Sequence, residues 1–80
     1  MIDSDRIRDT LYNGKKGMIF EFNGTPLKEH PYEGSRAVGF LDMYARVTIY
    51  DKIGKYYFVA YHGTFGYIPV TSVIIEVEEG

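Results

Sequence analysis

The stretch that decides the fold of this chain runs from Lys55 to Val73 and reads KYYFVAYHGTFGYIPVTSV. Aromatic and aliphatic residues alternate on both sides of His62-Gly63, as in two antiparallel strands with one buried face. Glycine supplies the positive φ that a two-residue hairpin turn requires. Proline cannot donate a hydrogen bond to a neighbouring strand, so the second strand is predicted to end at Pro69. The stretch therefore predicts a tight β-hairpin.

The alternation also divides the side chains of this hairpin between two faces, because successive residues of a strand point to opposite sides. Those predicted to face the core are Tyr57, Val59, Ile68 and Val73. Those predicted to lie on the outer face are Tyr56, Phe58, Phe65 and Tyr67. Exposed aromatic side chains are costly unless they are used or covered. The outer face is therefore a candidate contact surface.

Further strands are predicted on both sides of the hairpin. From Gly17, apolar residues alternate through Phe22, and Arg46 to Tyr50 alternates with Val47 and Ile49 inward. The last strand would place Val73, Ile75 and Val77 inward, and the other core candidates are Leu27, Val38 and Leu41. Pro31 and Gly34 interrupt any regular pattern between Glu29 and Arg36, which is predicted to be a loop. Short strands with glycine and proline between them favour an all-β barrel or sandwich.

Two local features leave alternatives open. Asn23-Gly24 is a strong signal for a type I′ hairpin turn, but it is also compatible with a bulge in one bent strand. Ser4 could cap a two-turn helix through about Tyr12, with Ile7 and Leu11 on one face; the alternative is a charged lead-in without regular structure.

Composition limits the chain to one small domain and argues against several functions. Eighty residues leave room for a single core. With no cysteine and only His30 and His62, the sequence offers no metal-ligand cluster, and it lacks the glycine-rich and nucleophile motifs of common enzymes. We therefore expect no enzymatic activity, no metal and no cofactor.

Charge and hydropathy argue against two classes of partner. A net charge of −2 provides no basic field for nucleic acid, and no apolar run is long enough to span a membrane. Neither nucleic acid nor a membrane is an expected partner. Without the zones of a secretion signal, the chain as it stands is expected to be cytoplasmic; as part of a larger exported protein it would belong to the cell envelope.

The segment from Gly17 to Val77 resembles a Src-homology-3 (SH3) domain, most closely the bacterial ones. The resemblance is carried by Gly24-Thr25-Pro26-Leu27, by the Pro, Gly and Ser residues of the following loop, and above all by Gly66-Tyr67-Ile68-Pro69. It implies a five-stranded SH3-like barrel at residues 17–80, preceded by a lead-in or short helix at residues 1–16. The family normally has a glycine two or three residues after the Leu41 position. Here Tyr44 either takes an ordinary φ or the alignment is off by a residue.

The resemblance also implies a function for the outer face. In eukaryotic SH3 domains an extended proline-rich peptide lies in a groove lined by residues at the Tyr56, Tyr67 and Pro69 positions and by a second tyrosine. This chain has Ser72 at that fourth position and no Ala-Leu-Tyr-Asp-Tyr motif, so it departs from the usual proline-peptide groove. The long loop beside the groove would contribute Tyr32; the alternative is that this loop presents only a solvated face.

We therefore predict a binding module that recognises a protein or peptide. The predicted ligand-binding residues are Tyr56, Tyr67, Pro69, Tyr32, Phe58 and Phe65. Two alternatives are cell-wall recognition, in which the ligand would be a peptidoglycan peptide, and a small stand-alone inhibitor of a host protein complex. The oligomeric state does not follow from the sequence.

Overall fold

A computed structural model describes residues 14–76, which form one antiparallel sheet of seven strands. The strands are β1 (Lys15–Ile19), β2 (Thr25–Lys28), β3 (Ala37–Leu41), β4 (Arg46–Ile53), β5 (Tyr56–Tyr61), β6 (Thr64–Pro69) and β7 (Val73–Ile75). Their order across the sheet is β3-β2-β6-β5-β4-β1-β7. A 3-10 turn, Val70–Ser72, joins β6 to β7. The predicted all-β class is confirmed.

The central hairpin is confirmed at the predicted turn. Tyr61 pairs with Thr64 across the turn, and His62 and Gly63 both have positive φ, 49° and 84°. Positive φ at both central residues is the signature of a type I′ turn, whose twist matches that of the flanking strands. Strand β6 ends at Pro69, as predicted.

Within residues 14–76, eight buried apolar side chains form the core, and most were expected from alternation. They are Ile19, Leu27, Leu41, Val47, Ile49, Val59, Ile68 and Val73. Tyr57 and Ile75 are partly buried and pack against this cluster. On β1 the buried apolar side chain is Ile19, where the strand ends; Phe20 and Phe22, which were predicted to belong to it, lie beyond it and are exposed.

The prediction that Val38 lies in the core is wrong. Leu27 pairs with Gly39 and Lys28 with Ala37, so Val38 is an extra residue in β3 with no partner opposite it. Gly39, which pairs with the buried Leu27, lies on the inner face, so its neighbour Val38 points outward. Val38 is 37% exposed as a result.

The predicted five-stranded closed barrel is also wrong. The sheet has seven strands and is open, with β3 and β7 at its edges. The extra strands arise because β2 and β3, on either side of the 29–36 loop, pair with each other as a hairpin. Alternation shows where a strand lies but not which strands pair, so neither closure nor the strand count followed from it.

Asn23-Gly24 forms neither a hairpin turn nor a bulge within one strand, because residues 20–24 between β1 and β2 belong to no strand. The Gly24 amide donates to the Glu21 carbonyl at 2.9 Å, which makes a turn. This turn does not close a hairpin, because β1 pairs with β4 and β7 whereas β2 pairs with β3 and β6. It is not a type I′ turn either, since Asn23 is absent from the residues with positive φ. The turn instead carries the chain from one part of the sheet to another.

Tyr44 has a φ of 73°, which excludes the first of the two alternatives at this residue, an ordinary φ. A bulky side chain is rarely found in this left-handed region, because its Cβ approaches the following carbonyl oxygen. The Tyr44 ring is 62% exposed and lies 6.5 Å from the Phe20 ring, centroid to centroid. Little packing therefore compensates for the backbone strain.

We expect Tyr44→Gly to be more stable than Tyr44→Ala by about 1 kcal/mol in free energy of unfolding, because only glycine relieves the strain. Both variants lose the same contact with Phe20, so their difference isolates the backbone term. Urea unfolding followed by fluorescence measures it. If the alanine variant is as stable as the glycine variant, the left-handed backbone is not a source of strain.

Some predictions lie outside the described residues: the helix from Ser4 to about Tyr12, and the inward position of Val77. Strand β1 begins at Lys15, slightly before the predicted domain boundary at Gly17. In the described part of the chain, no helix has the length and apolar character needed to cross a membrane.

Candidate functional site

The outer side of the β5–β6 hairpin brings together most of the residues predicted to bind a ligand. Successive cross-strand pairs are Tyr56 with Pro69, Phe58 with Tyr67 and Ala60 with Phe65. Directly opposed residues of antiparallel strands share a face. Because Val59 and Ile68 are buried on the inner face, these pairs all lie on the outer one. The face assignment made from the sequence is confirmed.

At one end of this face, four rings form an aromatic cluster made of Tyr50, Phe58, Phe65 and Tyr67. The Phe58 ring lies 5.0 Å from that of Tyr67 and 5.7 Å from that of Phe65, centroid to centroid. Tyr50 lies 6.4 Å from Phe58 and 6.0 Å from Phe65. These separations are in the range of favourable aromatic pairs. Phe65 is 54% exposed, so the cluster reaches the surface.

Sequence reasoning did not select Tyr50, although a signal was present. With Val47 and Ile49 inward, simple alternation already placed Tyr50 outward. The contact with Phe58 depends on a β-bulge, because Ile49 pairs with Val59 and Asp51 with Phe58, which leaves Tyr50 as the extra residue in β4. Only the pairing of β4 with β5 could reveal that contact.

At the other end of the face, a groove of about 620 Å³ opens beside Tyr56 and Pro69. Its walls come from β2, the loop after β2, the β4–β5 turn, the start of β5, the end of β6 and the 3-10 turn. The lining residues are Thr25, Pro26, Lys28, Glu33, Lys55, Tyr56, Pro69, Val70 and Thr71. A hydrogen bond from the Val70 amide to the Lys55 carbonyl, 2.9 Å, ties two of these walls together. Sequence reasoning anticipated Tyr56 and Pro69 but not the β2 wall.

The loop from Glu29 to Arg36, confirmed as irregular, is held by Lys28. The Lys28 ammonium donates to the carbonyl oxygens of Glu33 at 2.6 Å and Ser35 at 3.2 Å. The buried Ser35 hydroxyl accepts from the His30 amide at 2.8 Å. These bonds satisfy polar groups within the loop and hold it next to the groove.

Tyr32 and Ser72 lie apart from these two surfaces. Tyr32 is 57% exposed and stacks on His30, with 6.0 Å between the ring centroids, and it neither lines the groove nor contacts the aromatic cluster. Ser72 is buried, and its hydroxyl donates to the Glu21 carboxylate at 3.3 Å. At the position where the SH3 groove would have a second tyrosine, this chain therefore has a buried serine whose hydroxyl makes a hydrogen bond within the fold.

Residues 14–76 contain no group of three or more His, Cys, Asp or Glu side chains arranged to hold a metal ion. Comparison of the chain with protein-family models, curated proteins and solved structures found no match. The groove and the aromatic cluster are therefore the features that bear on function.

Proposed function

We propose that the chain is a non-catalytic, SH3-like binding module that recognises an extended segment of a partner protein. The observation that carries the proposal is the cross-strand pair of Tyr56 and Pro69, which lines an open groove on the same face as the aromatic cluster. An aromatic ring beside a proline offers a flat apolar surface that suits an extended chain. The neighbouring rings of Phe58 and Tyr67 extend that surface along the hairpin.

Two further observations support the SH3-like assignment; both concern individual residues, since the sheet itself is not the five-stranded barrel of that family. The motif Gly66-Tyr67-Ile68-Pro69 occupies the end of β6, directly opposite the start of β5 at Tyr56. Tyr44 adopts a positive φ three residues after Leu41, where the family has its glycine. Nothing in residues 14–76 favours a wall polymer or a larger host complex over a protein segment.

Selection of a random dodecapeptide display library against the folded chain tests the proposal. We expect peptides to be enriched, and Tyr56→Ala combined with Tyr67→Ala to weaken their binding at least tenfold, because truncated aromatic side chains at binding centres typically lose about 2 kcal/mol or more. Fluorescence anisotropy measures the affinity. Circular dichroism checks that the double variant is folded, since Tyr67 also contacts Phe58.

Tyr44→Ala is the matched control, because it removes an exposed tyrosine that neither lines the groove nor belongs to the aromatic cluster. Its peptide affinity should equal that of the wild type. If the Tyr56 and Tyr67 double variant bound the selected peptides as tightly as the wild type, the proposal would be contradicted. Failure to select any peptide would contradict it as well, and sedimentation of the chain on purified peptidoglycan would then favour wall recognition instead.

A further inference from the structure

The charge in the groove differs in sign from that of the chain. Two lysines, Lys28 and Lys55, and one glutamate, Glu33, line it, whereas the whole chain has a net charge of −2. At physiological salt, charges more than about 8 Å away are largely screened, so a ligand in the groove responds mainly to the groove's own side chains. The groove is thus a local positive site on an acidic protein.

Lys55 is placed to meet a ligand. It occupies the two-residue turn between β4 and β5, where Gly54 has a φ of 60°. Its carbonyl accepts from the Val70 amide, so the backbone at this point is anchored to the 3-10 turn. Among residues 14–76 its ammonium group has no hydrogen bond or ion pair, and the next residue is Tyr56. The charge therefore lies at the edge of the groove, next to the ring that the ligand is proposed to contact.

Lys28 adds to this charge from the opposite wall. Its ammonium group has three hydrogen atoms, and two are used by the carbonyl oxygens of Glu33 and Ser35. Carbonyl oxygens do not neutralise the positive charge, and the third hydrogen remains for a ligand oxygen. Because the Glu33 carboxylate is exposed, it opposes only part of the charge of the two lysines.

We propose that the groove prefers an extended protein segment bearing an acidic side chain, whose carboxylate pairs with Lys55 while the flanking residues lie on Tyr56 and Pro69. This inference rests on the proposed function and specifies its ligand. Opposite charges across an interface select among partners more than they add affinity. The preference for acid over its neutral amide should therefore be modest and should weaken with added salt.

Repeating the peptide selection with Lys55→Glu tests the inference. The wild type should enrich peptides containing Asp or Glu, and the variant should enrich Lys or Arg instead. Lys52→Glu makes the same change of charge on an exposed residue that does not line the groove, and it should leave the acidic preference intact.

A double-mutant cycle then gives the pairwise effect. Replacing the acidic residue of a selected peptide by its amide should weaken binding to the wild type by about twofold to fivefold, and to Lys55→Glu by less. Selected peptides without acidic enrichment, or a preference unchanged in Lys55→Glu, would overturn this inference and leave the binding function standing. Failure to select peptides at all would instead overturn the proposed function, and the charge preference with it.

Discussion

Gly66→Ala is expected to lower the free energy of unfolding by about 3 kcal/mol, at the upper end of the usual cost of overpacking a core. Gly66 lies on the inner face of β6, opposite Val59. A Cβ built there would lie 2.6 Å from Leu27 Cγ and 2.8 Å from the Lys28 carbonyl oxygen. The first atom belongs to a buried core side chain and the second to backbone, so neither can move aside cheaply.

The steric conflict at Gly66 arises from the way β2 crosses β6. These two strands share a single residue pair, Lys28 with Tyr67, and Leu27 lies directly over Gly66. A methyl group at Gly66 would push β2 away from β6. Because Pro26 and Lys28 of β2 also line the groove, we expect the same variant to weaken peptide binding.

Thermal unfolding measures the effect, and a loss of about 3 kcal/mol corresponds to a fall of roughly 12–24 °C in Tm for a domain of this size. Gly39→Ala is the matched control, since a Cβ there would meet nothing closer than Leu27 Cδ2 at 3.6 Å. That control should be as stable as the wild type or slightly more so. A Gly66→Ala variant with the wild-type Tm would mean that β2 can shift without cost.

Gly24→Ala is expected to lower the free energy of unfolding by about 2–4 kcal/mol, because two penalties combine. Gly24 has a φ of 79°, which disfavours any residue with a Cβ. That Cβ would also lie 2.6 Å from the Leu41 carbonyl oxygen and 2.6 Å from the Phe40 ring. The turn from Glu21 to Gly24 depends on this close approach.

Gly63→Ala separates the two penalties, because Gly63 has a similar φ of 84° but open space around its Cβ position. We expect it to cost only about 1–2 kcal/mol. Chemical denaturation of both variants gives the difference, which measures the contact with Leu41 and Phe40. Equal losses of unfolding free energy in the two variants would show that the Phe40 ring and the β3 backbone can move away from residue 24 at little cost.

Gly24 and Gly63 also show how much of the fold could be predicted from the sequence. The need for glycine at Gly63 could be predicted, since His62-Gly63 stands between two alternating runs, which is the local signature of a hairpin turn. Asn23-Gly24 gives an equally strong local signal, and there the hairpin was wrong. The difference is the partner of each strand: β5 pairs with β6, but β1 does not pair with β2.

The proposed binding surface could likewise be predicted from the sequence only in part. Parity along β5 and β6 was enough to place Tyr56, Phe58, Phe65 and Tyr67 on one outer face. The wall of the groove formed by Pro26 and Lys28 could not be predicted, because it exists only where β2 crosses β6. Tyr50 joined the aromatic cluster through a bulge that shifts its strand by one residue relative to β5.

The sequence by itself therefore determined the all-β class, the His62-Gly63 hairpin, most of the core and the outward aromatic face. Each follows from a period of two residues or from the φ preference of glycine, which act within a few residues of the chain. Tertiary structure decided the seven-strand order, the bulges at Val38 and Tyr50, the positive φ of Tyr44 and the charged groove beside Tyr56. These features depend on which distant strands pair and in what register. The segment from Lys55 to Val73 forms one wall of a groove only because β2 supplies the other.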